Sequence, residues 1–98
     1  MSRIEFASDV AYDIDRVIDH LIHHDVDNAA SRVEAIVHAI NVLESNPLIG
    51  RRAPGDMREL VIGRRSRGYI ALYRYIAEID TVFVLALRSQ VEAGYRQH

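Results

Sequence analysis

Ninety-eight residues with no cysteine and no lysine carry twelve arginines against fourteen acids, a formal net charge of −2. That length suits one domain, residues 1–98, with one core; it leaves no disulfide framework and no thiolate metal site. A mildly acidic chain is also poorly suited to direct work on ribosomal RNA, because neutralising phosphates drives such binding.

The charge is unevenly placed. Residues 1–50 hold nine acids and three arginines, and residues 51–98 hold nine arginines and five acids. A two-faced surface follows. Arginine in place of lysine suits bidentate contacts to carboxylate or phosphate.

Along the chain, Arg3 to Phe6 alternates and predicts a short strand. Ser8 is placed to cap a helix. Val10, Ile14, Val17, Ile18, Leu21 and Ile22 then recur at three- and four-residue intervals, one helical stripe. Asp13, Asp15 and Asp19 are expected off that stripe, with Asp9 and Asp13 favoured by the dipole at the helix start. His23 to Asn28 breaks the pattern, and Asp27 or Asn28 caps a second helix. Its stripe is Ala29, Ala30, Val33, Ile36, Val37, Ile40 and Leu43, and Asn46-Pro47 ends it. The short link makes an antiparallel helical hairpin.

Pro47 to Asp56 holds both prolines and two of the five glycines and predicts a loop. Strands are expected over Met57–Ile62, Tyr69–Ile76 and Thr81–Leu87, joined by a basic turn at 63–68 and a hairpin turn at 77–80. Ser89 to His98 is a polar tail around Tyr95. The fold class is α+β with order β-α-α-β-β-β, a helical hairpin on one face of a small, mostly antiparallel sheet.

Gly68 to Tyr75 is the centre of that sheet. Tyr69, Ala71, Tyr73 and Tyr75 point to one side, and Ile70, Leu72 and Arg74 to the other. Neither side is clearly polar, so both are expected to be covered: one by the helices, the other by the tail, a partner, or both.

Three groups of residues invite chemistry. His20 and His24, with His23 beside them, have the i, i+4 spacing of metal-binding pairs, but there is no third ligand and no HExxH pattern, so no metal is assigned. His38 lies beside the second apolar stripe and is read as structural or superficial. Arg64, Arg65 and Arg67, between Gly63 and Gly68, could hold a phosphate, although the turn is no Walker loop. Arg74, Arg88 and Tyr95 could serve RNA cleavage by 2′-OH attack, arginine supplying positive charge and tyrosine the acid. The base is missing: Ser89 is poor and Glu92 is unplaced. The competing reading pairs Arg74 and Arg88 with carboxylates or with a partner.

The runs Pro47-Leu48-Ile49-Gly50-Arg51, Arg58-Glu59-Leu60-Val61-Ile62, Gly68 to Tyr75, and Val84 to Tyr95 together resemble the RelE/ParE superfamily of toxins from bacterial type II toxin–antitoxin systems. The resemblance covers nearly the whole chain. It implies a toxin neutralised by a cognate antitoxin, whose C-terminal segment covers the second sheet face and through which alone the toxin meets DNA. RelE-like members cut mRNA in the ribosomal A site, whereas ParE-like members poison DNA gyrase. Related sequences have histidine where Ser89 stands and arginine where Val91 stands, so this chain lacks an imidazole proton shuttle and a phosphate clamp. The expectation is therefore a ParE-like gyrase inhibitor that acts by binding, with Arg64, Arg65, Arg67, Ile70, Leu72, Arg74 and Arg88 in the interface. An endoribonuclease using Arg74, Arg88 and Tyr95 is the first alternative, and a degenerate homologue that only binds its antitoxin is the second. No cofactor is implied. No apolar run approaches the roughly 18 residues of a membrane span, and Met1 to Phe6 lacks the apolar stretch of a secretory signal, so a cytoplasmic protein is expected.

Overall fold

A computed structural model describes residues 1–24, 27–63 and 68–90. The elements run β1 (Arg3–Phe6), α1 (Val10–His24), α2 (Ala29–Val42), β2 (Arg51–Ala53), β3 (Met57–Ile62), β4 (Tyr69–Ile76) and β5 (Thr81–Ser89), with a 3-10 turn at Ala77–Ile79. They form a five-stranded sheet in the order β1-β5-β4-β3-β2. β1 runs parallel to β5, and the other neighbours are antiparallel. This is the α+β arrangement expected, with one strand more.

The added strand is β2, which lies in the stretch that proline and glycine mark as loop. Arg51, Arg52 and Ala53 pair with Glu59, Arg58 and Met57. The chain reverses between them through Gly55 (φ 76°) and Asp56 (φ 59°), both left-handed. Glycine enters that region without a Cβ penalty, and aspartate tolerates it. The turn residues therefore serve a hairpin rather than end all pairing. β5 also runs two residues past Leu87, to Ser89.

The helices cover one face. Val10, Val17 and Leu21 of α1 and Ile36, Ile40 and Leu43 from α2 and its C-cap meet Ile62, Tyr69, Ala71, Tyr73, Val82, Val84 and Leu87 of the sheet. Each valine, leucine or isoleucine among them, fully buried, contributes about 1.5–3 kcal/mol by leaving water. Tyr75 packs at the edge of this cluster, so the four odd-numbered residues of β4 share the helix side as the alternation requires. That alternation survives because the irregularity in the β4–β5 ladder falls on β5: Leu72 faces Ala86 and Tyr73 faces Val84, leaving Leu85 as the extra residue.

Asp80 closes the β4–β5 turn in a left-handed conformation, φ 46°. Its carboxylate accepts from Ser2 Oγ at 2.6 Å and from the Tyr75 hydroxyl at 2.7 Å. Its carbonyl accepts from the Arg3 amide at 3.0 Å. One residue thus ties the start of β1 to the β4–β5 hairpin.

Candidate functional site

The sheet face opposite the helices carries Val61 of β3, Ile70, Leu72 and Arg74 of β4, and Phe83, Ala86 and Arg88 of β5, by the register of the three strands. Ile70 is buried although it does not belong to the helix-side core. Its cross-strand neighbours are Val61 and Arg88. Leu72, Phe83 and Ala86 are half-buried, and Val61, Arg74 and Arg88 are exposed. Glu59, opposite Leu72, meets Arg51 Nε at 3.1 Å. The face is apolar along its middle and carries guanidinium groups toward both ends. That pattern suits a partner segment better than water alone.

Two features hold this face in place. In the sequence, Asp13 of the first is expected off the helix stripe, and the second is known only as a run shared with the family. The first is at the C-terminal half of β5. β1 stops at Phe6, and its last bond to β5 is from the Ala7 amide to the Val84 carbonyl at 2.9 Å. The backbone of Leu87, farther along that side, would be left without a strand partner among the described residues. α1 supplies one. Asp13 Oδ2 accepts from the Leu87 amide at 3.0 Å, and Arg16 Nη2 donates to the Leu87 carbonyl at 3.3 Å. Arg16 Nη1 bridges back to Asp13 Oδ1 at 3.0 Å. Burial pushes the Asp13 carboxyl upward, but the Leu87 amide and the Arg16 and Arg88 guanidiniums outweigh it and hold it below the usual carboxylate value. Asp13 is therefore buried on the helix face that meets the sheet, a correction to its expected place off the stripe. The available signal was its spacing: Val10, Asp13 and Val17 fall on one face.

The second is the Pro47–Arg51 run. The Gly50 amide donates to the hydroxyl of the buried Tyr73 at 2.8 Å. A Cβ on Gly50 would lie 2.7 Å from both Tyr73 Cε1 and its hydroxyl, and 2.9 Å from the Glu59 carbonyl. Only glycine lets the loop approach so closely. Arg58 Nη1 then donates to the carbonyls of Leu48 at 3.1 Å and Gly50 at 2.8 Å. Desolvation raises the Tyr73 hydroxyl above its ordinary pKa, against the lowering effects of the Gly50 bond and of Arg58, so it stays neutral.

The expected site residues fall in three places. Arg74 donates to the Gly55 carbonyl at 2.8 Å, toward the β2–β3 turn. Arg88 stands opposite Ile70, four residues back along β4, or roughly 13 Å at strand rise. Ile70 and Leu72 lie between them on the same face. Arg64, Arg65, Arg67, Val91, Glu92 and Tyr95 lie outside the described residues. His20 and His24 stack with ring centroids 4.5 Å apart, and His23 Nδ1 sits 2.8 Å from the Asp19 carbonyl. Among the described residues, no three His, Cys, Asp or Glu side chains are grouped to hold a metal. His38 is exposed. No helix among the described residues is long and apolar enough to cross a membrane.

Residues 4–94 match the family described as "ParE toxin of type II toxin-antitoxin system, parDE". The chain belongs to this family, and it is a type II toxin–antitoxin toxin. Among solved structures it is similar to the chromosomal ParDE toxin–antitoxin system from P. aeruginosa. That match has a TM-score of 0.74 and 22% identity, and it covers 91% of this chain and 96% of the other. It is also similar to the intact E. coli RelBE toxin–antitoxin complex, with a TM-score of 0.60, 20% identity and the same coverages. At these identities the two neighbours establish the fold. No curated protein matches by sequence.

Proposed function

We propose that this toxin acts by binding and inhibiting DNA gyrase, and that a cognate antitoxin neutralises it by laying an extended segment across the sheet face opposite the helices. The observation that carries the reading is the composition of that face. Ile70 and Leu72 form an apolar centre between Arg74 and Arg88, with no acid–base pair assembled around either arginine among the described residues. The carboxylate beside this centre, Glu59, is already engaged by Arg51. Cleavage by 2′-OH attack needs a base near the hydroxyl and an acid near the leaving oxygen. Ser89, the last residue of β5, provides neither function at neutral pH. A surface of this kind recognises by area and charge rather than by proton transfer. The action is placed in the cytoplasm, where gyrase and DNA reside.

Purified toxin incubated with gyrase and relaxed plasmid provides the test. Loss of supercoiling, or accumulation of cleaved DNA, is the expected result. Uninhibited supercoiling together with A-site cuts in ribosome-bound mRNA would overturn the reading in favour of the endoribonuclease. Uninhibited supercoiling with neither activity would leave only antitoxin binding.

A further inference from the structure

At the end of the sheet where β4 runs on past the start of β3, a groove of about 650 Å³ opens, with Arg52, Arg58 and Arg74 in its wall. The three come from β2, β3 and β4. Arg52 and Arg58 share the helix side with Tyr73 and Arg74 stands on the other face, so the groove at the end of the sheet is lined from both sides. Arg52 and Arg58 stand directly opposite each other in the β2–β3 register, an arrangement that is destabilising for like charges unless something lies between them. Arg58 is fixed by the Leu48 and Gly50 carbonyls and Arg74 by the Gly55 carbonyl. Carbonyls orient a guanidinium without neutralising it. Among the described residues, no carboxylate lies within ion-pair distance of any of the three. Each bond to a carbonyl uses only one nitrogen of Arg58 or Arg74, and a guanidinium has five N–H donors. Arg58 and Arg74 are thus held in place with donors to spare, and Arg52 stands opposite Arg58; bidentate recognition of an oxyanion needs donors of this kind.

We propose that this groove is a carboxylate subsite, which takes a glutamate or aspartate side chain from an acidic peptide segment of a partner protein. The rim selects peptide over nucleic acid. Asp56 and Glu78 also line the groove, so its formal balance is only one positive charge in a chain whose net charge is −2. A dense polyanion meets repulsion there, while a peptide can place one carboxylate on the arginines and neutral residues beside the acids. The subsite lies at the other end of β4 from Arg88 and Ile70, and it stands whether or not gyrase is the toxin's target.

The test is an NMR titration of the full-length toxin that follows the arginine Nε–Hε resonances. The probes are an acetylated pentapeptide of alternating glycine and glutamate, the same peptide with glutamine, and a short oligothymidylate. The glutamate peptide is expected to shift Arg52, Arg58 and Arg74 saturably, leave Arg88 in place, and lose its effect when glutamine replaces glutamate. Arg52→Gln and Arg74→Gln should each weaken binding by at least roughly tenfold, the scale of one hydrogen bond to a charged group. Arg52 is exposed, so its variant keeps the fold and carries the test if Arg74→Gln lowers the melting temperature. Unmoved groove arginines, an equal shift at Arg88, or unchanged binding by folded Arg52→Gln would each overturn the proposal. So would tighter binding of the oligothymidylate through the same arginines, which would make nucleic acid the occupant.

Discussion

Replacing Asp13 with alanine removes the acceptor for the Leu87 amide and the counter-charge of Arg16 at one stroke. The Leu87 bond is buried, and among the described residues no strand lies beside that part of β5 to replace it. An orphaned buried donor costs about 1–3 kcal/mol. The Arg16 side chain is 43% exposed, so losing that ion pair adds only about 0–1 kcal/mol. Asp13→Ala should therefore destabilise the toxin by about 2–3 kcal/mol, roughly 10–20 °C in melting temperature for a domain of this size. Asp13→Asn retains an acceptor oxygen and should cost less. Urea unfolding followed by circular dichroism measures both. A pH series supplies a second check. The folded Asp13 carboxyl lies below its unfolded value of 3.8. Its stabilisation is therefore complete above that value and is lost as pH falls through the folded one. The wild type should lose this increment in acid, and Asp13→Asn should not. If Asp13→Ala unfolds within about 0.5 kcal/mol of wild type, the range of an ordinary surface substitution, the clamp on β5 is not a stabilising device.

Gly50→Ala should cost about 2 kcal/mol or more by calorimetry, because the added methyl group meets backbone and a buried ring rather than a flexible side-chain end. Tyr73→Phe should cost about 1–3 kcal/mol, since it leaves the Gly50 amide without its acceptor. Arg88→Ala should leave the melting temperature within a few degrees of wild type and weaken toxicity or antitoxin affinity, because Arg88 is exposed; a cooperative unfolding transition that disappears would show it to be structural. Arg74→Ala should behave alike, losing only the exposed bond to Gly55.

Much of the fold was legible because periodicity reports burial. The three-and-four spacing of Val17, Leu21, Ile36 and Ile40 placed both helices, and the alternation of Tyr69, Ala71 and Tyr73 set them on one face of β4, which the structure shows to be the helix side. What stayed hidden depends on contacts between distant residues. β2 is three residues long at the sheet edge, and its pairing with β3 leaves no periodic trace. Asp13 looked like a solvated helix carboxylate, because nothing local reveals that β1 ends too early to serve Leu87. Ile22 and Val37 fit their apolar stripes yet stay half in water, since each stripe is wider than the surface that receives it. In the site, Arg74 and Arg88 were visible as charges in an apolar strand pair, but Arg52 and Arg58 acquire meaning only when two strands set them face to face.

Hydrogen exchange of the toxin with and without its cognate antitoxin tests the central claim most directly. The account predicts slowed exchange along β4 and β5 around Ile70, Leu72 and Arg88, with Arg88→Glu weakening both that protection and the complex while the isolated toxin still folds, because Arg88 is exposed. Protection confined to the exposed surfaces of α1 and α2, with Arg88→Glu binding as tightly as wild type, would contradict it.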